Sequence, residues 1–178
     1  MHQNRQNARH GPDQGYDLVF LRHGHALSTG EAGVLRDCDR PLSERGAAQA
    51  RKTAIRLKQA GFLPELIIAS PFSRAATTAD IAAEIFPGAR RLGSAALSDG
   101  DAAGVLKLLA GAALRPGAGL LLVGHQPLLG FLAGRVMIRE AFPLAPAGFV
   151  RINTNSDGFA PDPAATLTEF YTPAGNIF

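Results

Sequence analysis

The chain has 178 residues, 46% of them hydrophobic, which fits one domain with its own core and argues against wholesale disorder. Fifteen Arg, three Lys and fifteen acidic residues leave a formal charge of +3, too mild and too evenly spread to point to nucleic acid. The single cysteine, Cys38, excludes an intramolecular disulfide framework, and no apolar stretch at the N-terminus suggests a secretory leader, so a cytoplasmic setting is expected.

Residues 1–15 are polar, carry Gly11-Pro12 near their end, and are expected to be a disordered tail ahead of one domain over 16–178. Leu18–Leu21 is a short apolar run with Val and Phe, which predicts a buried strand. Residues 23–42 are rich in Gly and charge and read as a long loop, in which Arg36, Asp37, Asp39 and Arg40 are expected to be solvated. Ser43 can cap a helix running to about Ala60 and closed by Gly61, with Ala47, Ala50, Ala54, Leu57 and Ala60 along one face. Leu66–Ala69 predicts a second buried strand. Ser70-Pro71 reads as a helix start with Ser70 as the cap, and that helix ends before Pro87-Gly88.

A short strand is expected over 89–92, and Asp101 can cap a helix from Ala102 to about Ala110. Residues 117–134 lack any Asp, Glu, Lys or Arg. His125, Gln126 and Pro127 in their middle favour a buried strand over Leu120–Val123, a turn and a helix to about Ile138 over a membrane span. Two further strands are expected over 148–153 and 165–171. Strands alternating with helices predict an α/β domain: a mainly parallel sheet covered by helices on both faces.

In such sheets, ligands bind beyond the carboxyl ends of the strands. Three of these ends carry Arg22-His23-Gly24, Ser70-Pro71-Phe72-Ser73-Arg74 and Gly124-His125-Gln126-Pro127. Two Arg, two His and two helix N-termini would converge there, with no carboxylate inside the three segments, and would suit a dianion such as a phosphoryl group. A neutral imidazole can attack phosphorus, and a second can stabilise the phosphoryl oxygens. Gly24 would let the backbone pass close to the ligand. Ser28 and Gln126 are further candidate phosphate donors, while His23 and His25 lack the companions of a metal site.

The stretch Leu21-Arg22-His23-Gly24-His25-Ala26 resembles the Arg-His-Gly signature of the histidine phosphatase superfamily, the phosphoglycerate-mutase-like proteins. The resemblance continues, in order and spacing, through Arg40-Pro41-Leu42-Ser43-Glu44-Arg45-Gly46, Ser70–Ala79 and Gly124-His125-Gln126-Pro127. It implies a three-layer α/β/α sandwich, His23 as nucleophile, and Arg22, Arg74 and His125 as groups that bind phosphate and stabilise the transition state, with neither metal nor cofactor. With only about fifty residues from Ser70 to Leu120, the chain is most similar to the SixA-type phosphohistidine phosphatases.

Larger members carry a general-acid Glu after the third strand. Here the comparable stretch, Ala95 to Asp101, offers only Asp99 and Asp101, and Asp101 is better placed as a helix cap. A missing acid suits a phosphohistidine substrate, whose P–N bond needs less help to break than a P–O bond to an alkoxide. The expected partner is a phosphorylated histidine phosphotransfer domain or else a small phosphate ester, with no role for nucleic acid or membrane. A broad small-molecule phosphomonoesterase and a non-catalytic phosphate or phosphoprotein sensor are the alternatives.

Overall fold

The computed structural model describes residues 15–155 and 159–174, so most of the expected tail over 1–15 lies outside the described residues. The apolar runs form β1 (Tyr16–Arg22), β2 (Pro64–Ala69), β3 (Arg90–Gly93) and β4 (Gly119–Gly124), all parallel. β5 (Phe149–Thr154) pairs antiparallel with β1, and β6 (Thr166–Tyr171) antiparallel with β5. The strands make one six-stranded sheet in the order β3-β2-β4-β1-β5-β6.

The period of two along each strand divides the core. Leu18, Phe20, Leu66, Ile68, Leu120, Leu122, Val150 and Ile152 face one side. They pack with residues of α4 (Ala95–Asp99), α5 (Ala102–Ala110) and α6 (Leu128–Val136). Val19, Leu21, Ile67, Ala69, Leu121, Val123 and Phe149 face the other side. There they meet Ala54 and Leu57 of α2 (Glu44–Gln59) and Ala75, Ala79 and Ala82 of α3 (Ser73–Ile85). The three-layer α/β/α arrangement expected from the strand–helix alternation is thus present. No helix among the described residues is long and apolar enough to cross a membrane, and residues 117–134 fold as a strand, a turn and a helix.

Several boundaries differ from the sequence reading for local reasons. Ser43 caps α2 through Gly46 N–H and Gly61 adopts φ +74°, as expected. The buried face of α2, however, is Gly46, Gln49, Ala50, Thr53, Ala54 and Leu57, and Ala60 is exposed. The face is turned toward Gly46, which lies so close to the loop after β1 that a Cβ there would meet His25 O at 1.9 Å. The helix ending at Val136 rather than Ile138 reflects a chain reversal, with Ile138 at φ +52°.

The loop expected over 23–42 is partly ordered. It contains α1 (Thr29–Ala32) and a 3₁₀ turn over Asp37–Asp39, and an antiparallel bridge between Ala26 and Leu42 closes it.

Candidate functional site

The strand order places the carboxyl ends of β2, β4 and β1 side by side. Pairing continues just past them: His23 N–H donates to Gly124 O and Ser70 N–H to Val123 O, both at 3.0 Å. The backbone ladder therefore carries His23, Ser70 and His125 to one edge of the sheet. Around that edge lies a cavity of about 450 Å³, lined by Arg22, His23, Phe72, Arg74, His125 and Gln126, with His25, Ala26, Arg40, Ser98 and Pro146 also in its wall.

His23 is 9% exposed. Its Nδ1–H donates to Gly24 O at 2.7 Å, and since a carbonyl only accepts, the free lone pair lies on Nε2. Arg74 Nε donates to that Nε2 at 3.2 Å. Burial, and after it His125, Arg74 and Arg22, push His23 down to about 3, against the opposing hydrogen bond to Gly24. The imidazole is therefore neutral near pH 7, and its Nε2 lone pair accepts from Arg74 in the cavity wall.

The His125 ring lies 5.0 Å from that of His23 and 5.1 Å from Phe72, and its Nε2 meets Ser70 Oγ at 2.8 Å. Burial first, then Arg74 and Arg22, push His125 down to about 4, with Asp37 opposing.

The cations are equally well placed. Arg22 Nη1 donates to Leu144 O at 2.9 Å, while its buried Nε has no partner among the described residues. A buried unsatisfied donor costs about 1–3 kcal/mol. Arg74, 7% exposed, sits in the first turn of α3, where a cation is unfavourable without an anion nearby. Three guanidiniums (Arg22, Arg40 and Arg74) stand against one bonded carboxylate, Asp37, with both imidazoles neutral. The excess of two positive charges complements a phosphoryl dianion.

Both histidine values lie below the ordinary 6.5. An unfolded chain would take up protons at these imidazoles that the folded chain does not. The stabilising effect of keeping them neutral is complete above about pH 6.5 and is lost as pH falls through 6.5 toward 4 and 3. Denaturant midpoints recorded from pH 7.5 to 4.5 should fall, and less steeply in a His23→Gln/His125→Gln double variant; equal slopes in the two proteins would contradict the assigned shifts.

Five candidates carry other contacts. Ser28 is not at the cavity: its hydroxyl donates to Glu31 at 2.7 Å and accepts from Glu31 N–H, forming the capping box of α1. Gln126 lines the cavity, but its amide bridges Phe142 O at 2.7 Å and Gly130 N–H at 3.1 Å, bracing the loop that carries Leu144. Asp101 caps α5 through Gly104 N–H at 2.9 Å, and Asp99 accepts from Ser98 Oγ at 3.0 Å; both are exposed, and neither lines the cavity. Gly24 is required by packing, since a Cβ there would meet Gly46 O at 2.4 Å.

Ser70 is not a helix cap. α3 begins at Ser73 after Phe72, and the buried Ser70 hydroxyl is turned to His125.

The expectation of a solvated cluster at Arg36, Asp37, Asp39 and Arg40 holds only in part. Arg36 and Asp39 pair with each other on the surface. Asp37 instead accepts from Arg74 Nη1 on its carbonyl at 2.6 Å and from Arg74 Nη2 on its carboxylate at 2.8 Å. Arg40 joins the same carboxylate at 2.9 Å, and its Nε donates to Leu27 O at 2.6 Å. Hydrogen bonds from Arg40 and Arg74 hold the Asp37 carboxyl below the usual carboxylate range.

Known proteins share both the sequence pattern and the fold. The family model of the histidine phosphatase superfamily (branch 1) matches residues 18–90. An uncharacterized protein of Picosynechococcus is 39% identical over 116 residues, 64% of this chain and 68% of its own length. The mitochondrial serine/threonine-protein phosphatase Pgam5 of Drosophila grimshawi is 37% identical over 82 residues, 44% of this chain, which spans only 27% of that protein. The structure of the protein histidine phosphatase SixA complexed with tungstate superposes with a TM-score of 0.74 at 22% identity, over 86% of this chain and 95% of that one. A mycobacterial glucosyl-3-phosphoglycerate phosphatase superposes at 0.64 and 20% identity, over 86% and 97%. Matching motifs, a curated relative aligned over two thirds of its length, and a phosphoglycerate-mutase-like fold agree: the chain belongs to the histidine phosphatase superfamily.

Proposed function

We propose that this phosphatase removes the phosphoryl group from phosphohistidine on a signalling phosphotransfer protein in the cytoplasm, with His23 as the acceptor. His23 Nε2 attacks phosphorus as the bond to the substrate imidazole breaks; the departing nitrogen keeps that bonding pair while the ring's other nitrogen carries a proton, so the group leaves as neutral imidazole. Water then attacks the phosphorylated His23, giving inorganic phosphate and the free imidazole. Arg22 and Arg74 hold the equatorial oxygens as their charge redistributes, and His125 completes the ring of donors.

The observation that carries this reading is the combination of a tautomer-fixed His23 with a cavity wall that, among the described residues, contains no Asp or Glu. An alkoxide leaving group needs a proton donor at that wall, whereas an imidazole leaving group is stable enough to depart with less assistance. The likeness of fold to SixA supports the same choice.

The test compares hydrolysis of a ³²P-phosphorylated histidine phosphotransfer domain with sugar, glycerate and nucleotide phosphates. A kcat/KM at least about 100-fold higher on phosphohistidine is expected, about 2.7 kcal/mol of discrimination. Equal or better turnover of the small esters would overturn the phosphohistidine assignment.

A further inference from the structure

Arg74 uses every nitrogen of its guanidinium. Nη1 and Nη2 both bond Asp37, one to its carbonyl and one to its carboxylate, and Nε is left aimed at His23 Nε2. The planar fork thus has one orientation, fixed by one residue. The Asp37 carboxylate is braced in turn, because its second oxygen accepts from Arg40, itself anchored on Leu27 O. Among the described residues, no other carboxylate bonds a cation of the cavity wall.

We propose that Asp37 is a positioning residue for Arg74, which holds the guanidinium in line with His23 while its negative charge weakens the cavity's hold on the anion. The proposal rests on the reading that the cavity takes a phosphoryl group at His23. The two effects have opposite signs. Removing the carboxylate leaves Nη2 unheld and the fork anchored on the Asp37 carbonyl and His23 alone, which loosens its alignment and slows phosphoryl transfer. The same change removes the negative charge nearest the anion, which tightens binding of phosphate. A residue that merely supports the loop would weaken both when removed. Asp37 is exposed, its side chain retaining 57% of its accessibility, so its replacement leaves the core untouched.

Asp37→Asn and Asp37→Ala separate the effects, because Asn keeps an oxygen for Arg74 Nη2 and Ala does not. Titration calorimetry with inorganic phosphate at low salt should show Kd falling about twofold to fivefold in both variants, the size expected for an exposed charge pair. Single-turnover transfer from phosphoramidate to His23 should slow about tenfold in Asp37→Asn and about 100-fold in Asp37→Ala, a graded loss of electrostatic positioning. The Arg74 Nε–H resonance, narrow in the parent protein, should broaden in Asp37→Ala.

Weaker phosphate binding would overturn the charge half of the proposal, and an unchanged transfer rate or an unbroadened Arg74 resonance the positioning half. Calorimetry and the resonance need no turnover. A parent protein that never labels His23 would therefore remove the enzymatic reading, while those two measurements still decide the role of Asp37.

Discussion

His23→Asn is expected to lower turnover by about four orders of magnitude or more and to abolish the acid-labile phosphate trapped on the protein after rapid quench. Asn keeps a polar side chain of similar reach but has no nitrogen lone pair able to bond phosphorus. Two imidazoles lie 5.0 Å apart, and their hydrogen bonds distinguish them. His23 gives its Nδ1 proton to a backbone carbonyl, which cannot move or titrate, and so Nε2 is the lone pair in every molecule. His125 has Nε2 engaged by Ser70, a hydroxyl that either donates or accepts. His125→Asn should therefore slow transfer about 100-fold yet leave a trappable phosphate on His23. If label persisted in His23→Asn and disappeared in His125→Asn, the roles would have to be exchanged.

The second large effect concerns Arg74. Arg74→Lys keeps the charge but loses the fork, and Arg74→Ala loses both. Reductions in kcat of about 100-fold and 1000-fold are expected, in the range of removed oxyanion donors and transferred-phosphoryl arginines. Folding stability should not follow. Arg74 is buried close to Arg22, whose pKa is lowered by burial and by Arg74, so the folded state carries the repulsion of two confined cations. Relieving it offsets the loss of the bonds to Asp37, so the thermal midpoint of Arg74→Ala should change little as activity collapses. A variant that lost activity and several degrees of Tm together would indicate that Arg74 is part of the scaffold.

The strands and the dominant residues of the site are legible in the sequence because parallel strands buried on both faces read as unbroken apolar runs, and ligands gather at their carboxyl ends. That logic brought Arg22, His23, Arg74 and His125 together. Asp37 and Arg40 were hidden because a run such as Arg36 to Arg40 looks the same whether its charges pair with each other or reach into a cavity. Only the three-dimensional path of the loop takes Asp37 to Arg74, 37 residues on.

Ser70 reads as a helix cap in sequence for a related reason. Ser-Pro is a genuine helix-start pattern, but here the hydroxyl has a stronger claimant in a histidine 55 residues away. Ser28 has the reverse history: a hydroxyl near the signature in sequence, consumed by its own helix turn. Gly24 shows that a glycine beside a nucleophile need not serve the ligand, since the close approach it permits is to the backbone of Gly46. The order of the strands was not legible either, because apolar runs carry no label for their neighbours.

β4, which starts at Gly119, fits between β1 and β2, both synthesised much earlier. A chain emerging from the ribosome must therefore leave a slot with two unsatisfied strand edges until its last third arrives, and those edges are templates for misassembly. Catalytic competence cannot be acquired in stages: the closing strand of the slot also delivers His125, so any molecule with a working centre has already sealed its most aggregation-prone gap.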